Sequence, residues 1–333
     1  MTEAMYKRFC TEEFNEKGTL TKFSIQCPDN FNFAYDVVDE IAASFPEREA
    51  LVWCNVAGEE RRFTFRDMRE LSNRTANFLR EAGVGKGDRV MLMLKRHYEY
   101  WYTILALHKL GAVAVPATHM LTVKDIIYRV QAADIKAVIC TPEGDVADYV
   151  AQAQAECPTL RIKCVVRQPR EGFLLLDDGV RQASPDMERV PNLSTDPFLM
   201  YFTSGTTGYP KAVIHDYTYP LAHIITARHW QNVRQGGLHL TVADTGWGKA
   251  SWGKLYGQWL AGAAVMVYDF DKFVAADLMA VIQKYRVTSF CAPPTIYRFL
   301  IKEGMEGYDL SSLEYATNAG EALNLSLIHI SEP

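Results

Sequence analysis

Apolar residues recur along the chain in two alternating rhythms. Between Phe33 and Phe45 they fall at Phe33, Val37, Val38, Ile41, Ala42 and Phe45, the spacing of one helix face. Short strands follow at 50–54 and 61–65, then a helix over 66–82 closed by Gly83. The Gly85 to Asp88 turn leads into a strand over 89–94. A helix over 97–110 stops at Gly111, and Ala112 to Pro116 reads as a buried strand. Thr122 and Asp125 form a T-x-x-D start for a helix through Ala132. Strand 137–140, helix 145–156 and strand 161–166 complete this first series.

Residues 170–197 carry Gly172, Asp177, Asp178, Gly179, Pro185, Pro191 and Pro197 and read as a connector. The alternation then resumes, with strands near 198–202, 212–215, 238–242, 264–267, 288–291 and 314–317. Helices are predicted over 219–230, 247–260 and 274–285. Strands alternating with helices over short turns predict an α/β fold of two packed lobes with largely parallel sheets. The expected organisation is an N-terminal extension over 1–29, a first lobe over 30–185, a second over 186–324 and an unrelated tail over 325–333. At 333 residues the chain exceeds one ordinary core, in keeping with more than one lobe.

Charge and cysteine content narrow the partners. The net charge of −5 gives no general attraction to nucleic acid or to an anionic membrane, so an anionic ligand must be held locally. No apolar run is long enough for a signal peptide or a membrane span. The seven cysteines form no CxxC pair, as suits reduced thiols in the cytoplasm. The eight histidines show no metal spacing, and no structural metal is expected.

The richest chemistry lies in Tyr201-Phe-Thr-Ser-Gly-Thr-Thr-Gly-Tyr-Pro-Lys211, where an apolar strand feeds glycines, hydroxyls and a lysine. Gly205 and Gly208 allow close approach and positive φ, so that successive N–H groups can converge on phosphate oxygens. Thr203, Ser204, Thr206 and Thr207 add donors, and Lys211 adds a mobile charge. An ordinary surface turn rich in these residues is the bland alternative. A Walker A loop is excluded by context, since Lys211 follows Pro210 and precedes a strand rather than opening a helix.

The string YFTSGTTGYPKAVIH (201–215) resembles the phosphate loop of the adenylate-forming, AMP-binding superfamily. Three further stretches, KLGAVAVPAT (109–118), ADTGWGKASWGKLYGQWLAGAAV (243–265) and ATNAGEALN (316–324), resemble medium-chain or butyrate-type acyl-CoA synthetases. The resemblance implies ATP-dependent activation of a short- or medium-chain carboxylic acid to an acyl-adenylate, then to acyl-CoA. It implies ATP, Mg2+ and coenzyme A as cofactor and co-substrates, with Lys211 as the catalytic residue stabilising the departing pyrophosphate. By the same resemblance Asp244 and Trp247 border the acyl pocket, and Gly320, Glu321 and Ala322 lie against the adenine. Trp252, Tyr256 and Trp259 are candidate pocket lining, but their i, i+4, i+7 spacing fits a core helix face equally well. Asp244 could equally cap the following helix.

After Asn324 the resemblance stops. The superfamily's magnesium-binding glutamate, ribose-binding aspartate and C-terminal catalytic lysine have no counterpart, and LSLIHISEP (325–333) matches no family segment. The expectation is an incomplete large N-terminal domain. Two functions stay open, an acyl-CoA ligase and a catalytically inactive fragment that binds ATP or an acyl group.

Overall fold

The computed structural model describes residues 4–203 and 208–322. In chain order the strands are β1 (Cys10–Phe14), β2 (Leu20–Ile25), β3 (Glu49–Asn55), β4 (Glu60–Thr64), β5 (Arg89–Met93), β6 (Val113–Pro116), β7 (Ile135–Cys140), β8 (Ile162–Val165), β9 (Leu174–Leu175), β10 (Pro197–Thr203), β11 (Lys211–Asp216), β12 (Leu238–Thr241), β13 (Ala264–Asp269), β14 (Ser289–Ala292) and β15 (Tyr315–Asn318). The helices are α1 (Glu40–Ser44), α2 (Phe65–Glu81), α3 (Glu99–Leu110), α4 (Val123–Ala132), α5 (Val146–Gln154), α6 (Leu176–Gln182), α7 (Tyr219–Ile225), α8 (Gly248–Lys254), α9 (Tyr256–Leu260), α10 (Ala275–Tyr285) and α11 (Pro294–Glu303). π-type turns precede α1 and follow α7. Among the described residues no helix is long and apolar enough to cross a membrane.

Two largely parallel sheets carry the fold. One runs β11-β10-β6-β5-β7-β8-β9, with only β11 antiparallel, and the other runs β15-β14-β12-β13-β3-β4, with only β4 antiparallel. Central strands such as β13 and β6 are buried along their whole length, as strands covered on both faces must be. The sheets do not follow the expected boundary near residue 185. β3 and β4 join the sheet of the second half through β3 and β13, while β10 and β11 join the sheet of the first half through β10 and β6.

α3 is buried on every side, as a helix covered by structure all round must be. Three of its polar side chains find partners in different directions, while Thr103 Oγ1 and His108 Nδ1 have none among the described residues. The Arg167 guanidinium donates to both Glu99 oxygens, at 2.7 and 3.1 Å, and Lys109 Nζ donates to Asp39 and Asn73. His108 Nε2 meets the Tyr256 hydroxyl at 2.8 Å.

Three stretches differ from the sequence reading. The supposed connector holds β9 and α6, and Asn73, Arg74 and Asn77 of α2 donate to the carbonyls of Pro185, Ala183, Ser184 and Asp186. Asp177, Asp178 and Gly179 therefore sit within a helix, where Gly179 gives close approach to Phe78. The N-terminal extension forms the β1–β2 hairpin, with Tyr6 and Phe9 in the core and Glu12 paired to His229 at 2.7 Å. The predicted helix over 247–260 breaks at Leu255 into α8 and α9, and Leu255 N–H donates to the Gln258 side chain instead.

Candidate functional site

β10 and β11 form an antiparallel hairpin in which Thr203 faces Lys211, so the glycine-rich loop joins neighbouring strands at a sheet edge. Ser204, Gly205, Thr206 and Thr207 lie outside the described residues. Gly208 takes φ +91°, a left-handed conformation that glycine adopts without strain, and Lys211 is exposed at the start of β11. The loop's return is held by α4. Tyr128 donates its hydroxyl to the Pro210 carbonyl at 2.8 Å and stacks on Tyr209, with ring centroids 5.2 Å apart. Sequence reasoning missed Tyr128, because nothing local marks a helix residue that contacts a loop 82 positions away.

The turn after β12 carries Asp244 and Trp247. Asp244 is not the helix cap, since Trp247 occupies the N-cap position of α8. Instead Asp244 Oδ1 accepts the Gly246 N–H at 2.9 Å and closes the turn. Its Oδ2 faces Arg96 Nη1 at 3.6 Å and His119 Nδ1 at 3.3 Å. Among the described residues Asp244 Oδ2, His119 Nδ1 and Arg96 Nε are buried and lack a well-formed hydrogen bond, so this corner has unused polar capacity. Below the turn, Lys254 Nζ donates to the Ala243 carbonyl. Burial, assisted by the nearby Arg96 charge, pushes that lysine down to about 7.

Trp247 is 58 % exposed at the mouth of this turn. Tyr256 and Trp259, by contrast, are core side chains. Trp259 Nε1 donates to the Ala50 carbonyl, and Tyr256 packs on Phe33, His108 and Phe198. Trp252 is partly buried against Trp230 and His223.

The third stretch is the turn after β15. Gly320 takes φ +111°, and among the described residues a Cβ added there would meet nothing nearer than Pro293 Cβ at 4.0 Å. Glu321 accepts from Thr295 Oγ1 at 2.6 Å, and Ala322 follows at the end of the described residues. Lys249 of α8, missed in the sequence, donates to the Ala319 carbonyl at 2.8 Å. Burial pushes its ammonium below the ordinary lysine value.

α8 thus joins all three stretches. Its Ser251 hydroxyl meets the Tyr201 hydroxyl on β10, its Lys249 reaches the 319–321 turn, and its N-terminus carries the Asp244–Trp247 turn. Gly246 makes the approach possible, for a Cβ there would lie 2.2 Å from Thr118 N. Among the described residues no group of three or more His, Cys, Asp or Glu side chains could hold a metal ion.

Known proteins resemble this chain in sequence and in fold. The family model described as AMP-binding enzyme matches residues 38–330. Acyl-coenzyme A synthetase ACSM4, mitochondrial, from Homo sapiens is 35 % identical over 305 residues, covering 89 % of this chain and 52 % of that protein. Acyl-coenzyme A synthetase ACSM3, mitochondrial, from Pongo abelii is 34 % identical over 318 residues, covering 93 % and 54 %. The anthranilate CoA ligase AuaEII, solved in complex with anthranoyl-AMP, superposes with a TM-score of 0.83 at 25 % identity, covering 91 % of this chain and 57 % of that one. The Brucella canis acyl-CoA synthetase gives 0.80 at 26 % identity, covering 91 % and 55 %. This chain spans about half the length of the relatives it matches. With the family model covering most of its length, the chain belongs to the AMP-binding enzyme family.

Proposed function

We propose that the chain carries the adenylation site of an AMP-forming acyl-CoA ligase acting on a short- or medium-chain carboxylic acid. The observation that supports this most directly is the convergence of the glycine-rich hairpin, the Asp244–Trp247 turn and the Gly320 turn on α8. A carboxylate oxygen would attack the α-phosphorus of ATP, breaking the bond to pyrophosphate and leaving an acyl-adenylate. The thiol of coenzyme A would then take the acyl group and release AMP.

In this reading Thr203, Gly208 and Lys211, together with Ser204, Gly205, Thr206 and Thr207, receive the polyphosphate. Exposed at the start of β11, Lys211 can follow charge onto the departing pyrophosphate. The face over Gly320, open among the described residues, fits close approach of a flat base, with Glu321 and Ala322 beside it. Trp247, exposed beside two glycines, would border the acid, and Asp244 would hold the turn that presents it. Mg2+ is a different matter. The described residues offer no cluster of three or more His, Cys, Asp or Glu side chains for it.

The reading includes a cytoplasmic setting, for which the support is seven unpaired cysteines, most of them buried. The named ACSM relatives are mitochondrial. The deciding experiment is ATP–pyrophosphate exchange with butyrate or octanoate. Exchange is expected, with Lys211→Ala lowering it by roughly a hundredfold in a folded protein. Saturable nucleotide binding with no exchange would favour the inactive binding fragment instead.

A further inference from the structure

A cleft of about 460 Å³ lies where β4, α2, α3 and α6 meet, and it shares no residue with the site above. Arg61 comes to it from β4, Arg74 from α2 and Arg181 from α6. Among the described residues no carboxylate lies within ion-pair distance of Arg61 or Arg74. Each spends one terminal nitrogen on a carbonyl, Arg61 on Glu60 and Arg74 on Ala183. Arg181 pairs with Asp178 at 3.0 Å across an exposed surface, where solvent leaves little attraction. A guanidinium has five N–H donors, so most of this donor capacity is unspent.

The one carboxylate in the lining, Asp177, keeps its negative charge while it accepts the Arg167 backbone N–H at 2.6 Å, and it faces three arginines across the cleft. Tyr102 is only 4 % exposed, yet its hydroxyl has no hydrogen-bond partner among the described residues. Burial pushes that hydroxyl well above its ordinary value, so it stays protonated and can donate. The Phe63 and Tyr98 rings, centroids 5.2 Å apart and tilted by 41°, supply an apolar wall.

We propose that this cleft is a second binding site, taking a small organic anion whose apolar body packs against the Phe63 and Tyr98 rings and whose acidic group meets the arginines and Tyr102. Planar guanidinium groups recognise carboxylate, sulfonate and phosphate oxygens in pairs, and the aromatic wall rejects small hydrated anions that cannot use it. The site is separate from the adenylation site and does not depend on that activity.

The probe is naphthalene-1-sulfonate, an anion that cannot be adenylated as a carboxylic acid, titrated by calorimetry into the purified chain. Saturable one-site binding is expected, undisturbed by excess ATP. The neutral analogue 1-naphthalenemethanol is expected to bind about tenfold more weakly, and the variant Arg61→Ala with Arg181→Ala to lose about tenfold in affinity. Both arginines are on the surface, so the fold is not at stake. Tyr102→Phe, which removes a single oxygen, is expected to weaken binding several-fold. The proposal is overturned if the parent shows no saturable binding, if ATP displaces the probe, or if the double variant binds as the parent does.

Discussion

Lys254 concentrates the residue-scale chemistry. Its ammonium is buried with a single carbonyl acceptor, and Arg96, Asp244, Asp269 and Lys249 are the charges that act on it. An unfolded lysine keeps the ordinary value of 10.5, whereas the folded one is pushed down to about 7. Between those values the unfolded chain binds more protons, so stability rises with pH across that window. The effect should be on the order of a few kcal/mol. His239 acts in acid by the same logic. Held by Ser289 and Thr241 and pushed down to about 3 from 6.5, it removes stability as pH falls from 6.5 towards 3. Urea midpoints measured from pH 6 to pH 10 should therefore climb in the parent and climb less in Lys254→Met; equal slopes would show that Lys254 is charged and paired in the folded state. None of this was legible in the sequence. Lys254 reads there as one more lysine on an amphipathic stretch, and only its place beneath the Ala243 carbonyl isolates it. Tyr256 and Trp259 show the converse, because i, i+4, i+7 spacing marks a buried face without saying whether core or ligand covers it.

At the scale of elements, the 243–249 segment decides whether the site exists. Gly246 lies against the 117–118 backbone so closely that an added Cβ would fall 2.2 Å from Thr118 N and 2.3 Å from Ala117 C. Backbone atoms there cannot rotate away as a flexible side chain could. Gly246→Ala should cost about 1–3 kcal/mol, by analogy with overpacked cores, and should displace the Asp244 turn. Chemical denaturation would show the loss; a stability within error of the parent would mean that the 117–118 strand end yields freely. Elements with strong local signals were legible. The Thr122 and Asp125 capping box is present with both reciprocal bonds, and Gly111 ends α3 in a left-handed turn. α11 and α6 were not, since prolines and an Asp-Asp-Gly run look like punctuation when read locally. In the structure Pro294 occupies the first turn of α11, where its missing N–H costs nothing.

For the whole molecule, the exchange of strands between the sheets makes the two halves one folding unit. β3 needs β13 as its parallel neighbour, and β6 needs β10, so each sheet is completed from the other half of the chain. Alternation of strand and helix revealed the class of fold, but strand order is a long-range property that local periodicity does not carry, and a boundary near 185 was the natural reading. α3 adds an electrostatic reason for unity. Its His108 is capped by Tyr256 from the second half and stacks on Phe198 at 3.9 Å, and its Glu99 and Lys109 are buried among partners from the first. Removing residues 186–322 would expose the face of α3 that Tyr256 and Phe198 cover, together with the open edges of β3 and β6. Admitting water beside buried pairs such as Lys109–Asp39 while stripping away the apolar cover leaves little to offset the chain entropy. Residues 30–185 expressed alone are therefore expected to lack a cooperative thermal transition and dispersed amide resonances. The whole chain should instead unfold in one calorimetric transition with matching calorimetric and van't Hoff enthalpies. A folded, monomeric 30–185 fragment would show that the first sheet closes without β10, and that the strand exchange joins two domains already stable by themselves.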